Sequence, residues 1–144
     1  MVDTTNQFLA QLFSEQRSAA CLEIDSHHWR NWQNTENYVD RHGLRLEEIE
    51  PTLREAAMAV LRAGLSPKGF QMSRDVMKRN RFLGDLVGGP HILGEWSYIF
   101  CVFGTPSMSE PWSWQIFWHH LCVSCLVIEG QMVLSPLFWG AEPY

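Results

Sequence analysis

The sequence predicts an α+β fold in which about three N-terminal helices pack on a C-terminal antiparallel sheet of three to five strands. Apolar residues recur at helical spacing up to about residue 86, aromatic and β-branched runs dominate from about residue 95, and a glycine-rich stretch, GDLVGGPHILGE, separates the two. Segregated signals of this kind imply layers of helix and sheet rather than alternating βαβ units. The chain has 144 residues, 46% of them hydrophobic, which suffices for one domain with its own core. The expected organisation is a single domain over 1–144, helical over 4–86 and strand-rich over 95–140.

Thr4 and Thr5 are acceptable caps, and Phe8, Leu9, Leu12 and Phe13 recur with a helical period that continues weakly to Ala19 and Ala20. The second helix shows Pro51 near its start and one apolar stripe, Leu53, Ala56, Ala57, Val60 and Leu61, with Gly64 weakening its end. Ser66 and Pro67 restart a third, because serine can cap the free amides and proline suits a first turn; Phe70, Ser73 and Met77 share its face. WSYIFCVFG is short and apolar on both alternating faces, which predicts a strand covered on both sides. Trp112 to Ile128 reads as one long strand or two with a bend. Glu129-Gly130 then offers a hairpin turn into QMVLSPLFWG, where Pro136 should end pairing or sit at an edge.

Composition excludes several function classes. A net charge of -5 and the lack of any basic run longer than KRNR at Lys78 to Arg81 argue against a nucleic-acid or anionic-membrane surface, since phosphate binding needs clustered positive charge. No apolar run reaches the roughly 20 residues of a membrane-spanning helix, and MVDTTNQFLAQLF lacks the basic flank and apolar centre of a signal segment. A cytoplasmic protein is expected. The four cysteines, Cys21, Cys101, Cys122 and Cys125, lie in apolar or mixed surroundings where free thiols behave as small hydrophobes. No phosphate loop, dinucleotide fingerprint or H-E-x-x-H motif occurs.

Chemistry is sought first at the doublet in WSWQIFWHHL. An extended chain alternates its side chains, so Trp112, Trp114, Trp118 and His120 would face one way and His119 the other. The two rings would then diverge, and one ion could not easily take both. Tryptophans wall off a core or an apolar pocket, and a histidine among them has its proton affinity tuned by desolvation and by carboxylate neighbours.

FGTPS at Phe103 to Ser107, PWSWQ at Pro111 to Gln115, HHL at His119 to Leu121 and SPLFWGAEP at Ser135 to Pro143 together resemble the C-terminal part of the domain of unknown function 3500 family. WRNWQNTE at Trp29 to Glu36 and LRAGLSPKGFQ at Leu61 to Gln71 are similar to that family's earlier motifs, so the likeness covers most of the chain after residue 25. The family usually has glycine before the histidine pair, where this chain has Trp118, and its members are typically longer. The resemblance implies that Trp112, Trp114, His119, His120 and Pro136 belong to a shared architecture. It brings no established reaction.

A second polar cluster, DSHHWRNWQN, gathers Asp25, His27, His28, Arg30, Asn31 and Asn34 around Trp29 and Trp32. Arg30 can fork onto a carboxylate, and Asn31 or Asn34 can orient a carbonyl. The function expected is a small enzyme acting on an apolar organic molecule by metal-free acid/base catalysis, of cyclase, isomerase or hydrolase type, with no cofactor. His120 would be the proton carrier, His119 or Asp25 its orienter, and Tyr98 or Arg30 would polarise an oxygen. Trp29, Trp32, Asn31, Trp112, Trp114 and Trp118 would line the substrate pocket. One alternative is a metal-dependent enzyme drawing on His27, His28, His119 and His120 with Asp25 or Glu36. The other is a noncatalytic module whose tryptophan-rich sheet docks a partner chain, as in a homodimer.

Overall fold

A computed structural model describes residues 1–35 and 42–142 of the chain. The fold is α+β, with helices largely N-terminal and strands C-terminal, as the sequence predicts. The described helices are α1 (Val2–Leu9), α2 (Ser14–Ala20), α3 (Pro51–Gly64) and α4 (Pro67–Val87). The strands are β1 (Cys21–Leu22), β2 (Leu44–Arg45), β3 (Ile99–Phe103), β4 (Trp112–Trp118), β5 (Leu121–Ile128) and β6 (Gln131–Trp139). They form one sheet in the order β1-β3-β4-β5-β6, with β2 also paired to β3.

The sheet is mixed rather than antiparallel throughout, because β1 runs parallel to β3. Both extra strands are two residues long, too short to show a period. The first predicted helix is divided into α1 and α2. Gln16 turns its side chain back to accept the Phe13 amide at 3.1 Å, which caps α2, while the Phe13 ring is left 73% exposed. The hairpin between β5 and β6 turns at Glu129 and Gly130 as expected, both with positive φ (49° and 75°). β6 is an edge strand, and Ser135-Pro136 falls at its register shift, where the missing proline N–H costs no ladder bond.

Register assigns the two faces. Phe100 pairs with Ile116, Val102 with Trp114, and Trp114 with Cys125, so these side chains share one face with Trp112 and Trp118. Helices cover that face. Phe8 meets Phe100 edge-on at 5.1 Å, and Trp139 donates its indole N–H to Ser73 of α4 at 3.0 Å. The opposite face carries Phe103, Ser113, Gln115 and Phe117, and is covered by a strap over residues 23–35 and by His42. Trp29 stacks on Phe103 at 4.4 Å and His42 on Phe117 at 5.0 Å, while Gln115 donates to the Trp29 carbonyl at 3.3 Å and to Ser124 at 2.7 Å. With both faces covered, every residue of β3 and β4 is buried. Beyond the sheet, Trp96 lies between the Arg54 and Arg74 guanidinium groups, and Arg74 pairs with Glu95, which ties the segment after α4 to α3 and α4. No helix among the described residues is long and apolar enough to cross a membrane.

Candidate functional site at the histidine turn

His119 and His120 alone join β4 to β5, with Trp118 paired to Leu121 on either side. A two-residue hairpin needs left-handed backbone, and His120 supplies it with φ of 61°. The doublet is therefore a turn and not extended chain, and the expected divergence of its rings is corrected. Their centroids lie 3.8 Å apart, tilted by 33°. The left-handed conformation costs a non-glycine residue roughly 1–2 kcal/mol, so the surroundings must hold the turn.

Three distant segments do so. The Tyr98 hydroxyl donates to the His119 carbonyl at 2.9 Å, Asn34 Oδ1 accepts the His120 amide at 2.7 Å, and the Gly140 amide donates to the His120 carbonyl at 2.7 Å. Both carbonyls of the turn and the His120 amide are thus satisfied by side chains and by the chain following β6.

The His119 ring is buried, with Nδ1 3.0 Å from Asn80 Oδ1 on α4. Asn80 in turn donates its amide N–H to the Gly94 carbonyl at 2.8 Å. A carbonyl can only accept, so the amide orientation is fixed and Oδ1 faces the imidazole; Nδ1 must carry the proton. In the neutral ring, Nε2 then holds the lone pair. His120 is less enclosed, 15% exposed at its side chain, and its Nε2 lies 3.7 Å from Oε2 of the exposed Glu142. One ring nitrogen from each histidine and one Glu142 oxygen all lie within 4.8 Å of one another.

Several predicted site residues take other places. Trp112, Trp114 and Trp118 have no exposed surface and fill the space between helices and sheet, so they pack the core instead of facing an open cavity. Trp118 is sealed beside the turn. Tyr98 is fully buried, and burial pushes its phenol pKa well above the ordinary range; its hydroxyl supports the turn instead of facing a substrate. Asp25 and Arg30 are exposed on the strap, and the structure does not bring them to the histidine turn. His27 lies tilted against His28 at 4.1 Å, and His28 stacks on His42 at 4.5 Å, on the face away from α4, so neither joins the cluster of His119, His120 and Glu142. Glu36 lies outside the described residues. Trp29, Trp32 and Asn31 are half-buried on the strap, where Trp32 approaches Phe138 at 6.1 Å. Trp29 lines a shallow apolar depression of about 500 Å³ with Ile24, Pro111, Leu126, Ile128, Val133 and Ser135.

Asn80 and Glu142 are absent from the sequence-predicted set. Asn80 had a signal: Ser73, Met77, Asn80 and Gly84 fall on one buried helical face, where an amide requires partners. Glu142 had none.

No match to this chain is found among curated proteins or among solved structures. A family model described as "Protein of unknown function (DUF3500)" matches residues 1–144, and with that match spanning every residue the chain belongs to the DUF3500 family.

Proposed function

We propose that the protein is a small enzyme that moves protons on an organic small molecule, of cyclase, isomerase or hydrolase type, with the His119–His120 turn as its reactive centre. The observation that supports this reading is the chain from Gly94 through Asn80 to the His119 ring, which assigns the proton to Nδ1 and the lone pair of the neutral ring to Nε2. General acid/base catalysis needs a defined tautomer held in one orientation, and a buried amide that serves only to orient an imidazole supplies both. His120 is the better placed proton carrier, since its ring reaches the surface and has the Glu142 carboxylate as a neighbour in the role first assigned to Asp25. The Asn34 and Gly140 contacts hold that ring's backbone where the substrate would meet it.

The test is turnover in a small-molecule extract followed by mass spectrometry. A compound consumed by the wild-type protein should be consumed about 10²-fold or more slowly by His120→Gln, the size expected when one acid/base group is removed. Consumption that is unchanged in His120→Gln and lost in Trp29→Ala would move the centre to the strap-side depression and overturn the reading.

A further inference from the structure

The same turn has the composition and support of a metal centre. We infer that it binds one divalent transition-metal ion of the zinc class, with His119, His120 and Glu142 as the three protein ligands and the remaining position open. Imidazole and carboxylate together suit zinc, iron and nickel better than calcium or magnesium, which prefer sites built from oxygen alone. A tetrahedral ion with bonds of about 2.0–2.2 Å sets its ligand atoms roughly 3.4 Å apart. His120 and Glu142 already stand 3.7 Å apart, and the whole group spans no more than 4.8 Å. The glutamate is the exposed member, so it can close the remaining gap without disturbing the core.

The independent observation lies behind the ligands. A metal-bound histidine usually donates its second ring N–H to an oxygen, which sets the tautomer and aims the other nitrogen at the ion. Asn80 Oδ1 stands in this accepting position, 3.0 Å from His119 Nδ1, and Asn80 is itself 2% exposed and held by the Gly94 carbonyl, which leaves Nε2 as the nitrogen to ligate.

This inference rests on the proposed function only for its place. The ion would take the same lone pairs that proton transfer uses, so a loaded site would act as a Lewis acid instead of as a free imidazole base. Binding is therefore read without substrate.

Metal-free protein is titrated with cobalt(II) chloride, followed by its visible absorption, and with zinc chloride by calorimetry. One ion should bind at neutral pH with the intense absorption of tetrahedral cobalt, and affinity should fall as the imidazoles protonate in acid. His120→Ala should abolish binding. Asn80→Ala should weaken it about 10–100-fold, as removal of a partner behind a ligand does. Because Asn80 is buried, Glu142→Gln serves as the variant that leaves the fold intact, and it should weaken binding at least about tenfold. Absence of stoichiometric binding, binding retained in both His120→Ala and Glu142→Gln, or binding lost instead in His28→Ala would each overturn the inference. If metal binding fails while His120→Gln still removes turnover, the proton-transfer reading stands by itself.

Discussion

Cys122 and Cys125 form a C-x-x-C pair that strand geometry keeps apart. Cys122 pairs with Phe117 on the strap side of the sheet, and Cys125 pairs with Trp114 on the helix side. Their side chains leave β5 in opposite directions, so the free thiols expected from the sequence are what the register produces. Burial pushes Cys122 up to about 12 and Cys125 up to about 11 from an ordinary 9.0, and raises Cys101 further still. Alkylation of the native protein at pH ~8 should therefore be confined to the half-buried Cys21, and slow there, with the other three modified only in denaturant. Mass spectrometry with and without urea checks this. The same shifts predict the pH dependence of stability. Below about 9 the thiols are protonated in both states and nothing is lost. Above it the unfolded chain releases protons that the folded chain retains, so stability should fall as pH rises from about 9 toward 11. Urea midpoints at two pH values on either side of 9 give the sign.

At the scale of elements, α3 ends where its last residue touches the core. A Cβ on Gly64 would lie 2.5 Å from Cζ2 of Trp114, a ring with no room to move. Gly64→Ala should cost about 1–3 kcal/mol by overpacking, despite the gain of up to about 1 kcal/mol that alanine brings to a helix. Gly69→Ala in α4, where the nearest atom would be 3.4 Å away, should show only the propensity gain. Equilibrium urea denaturation of the two variants separates crowding from propensity. The apolar stripes of α3 and α4 were legible because they run for several turns and open with proline, preceded in α4 by a serine that accepts the Gly69 amide at 3.1 Å. The break between α1 and α2 was not, since Leu12 and Phe13 keep helical spacing although Phe13 packs against nothing that covers it. Hydrophobic period records where a residue could pack, and only a tertiary partner decides whether it does.

Across the whole molecule, the candidate site gathers Asn34, Asn80, Tyr98, Gly140 and Glu142 around two adjacent histidines. The histidines were legible as polar residues in an apolar run. Their geometry was not, because a two-residue hairpin ordinarily announces itself with asparagine or glycine, and His-His carries neither signal. Turn chemistry was supplied from outside: contacts from the strap, the residue just before β3 and the chain after β6 hold a conformation that local sequence disfavours. This makes the Asn34 contact a tie between the strap on one side of the sheet and the turn beside α4 on the other. Asn34→Ala should lower stability by about 0.5–1.5 kcal/mol, the worth of one hydrogen bond. The more specific outcome is local. Amide exchange followed by NMR should show the His120 N–H protected in the wild type and released about tenfold faster or more in Asn34→Ala, with the Gly140 amide little changed. Equal His120 exchange in both proteins would mean that the turn holds its left-handed residue without Asn34, and that the strap serves only to cover the sheet face at Phe103.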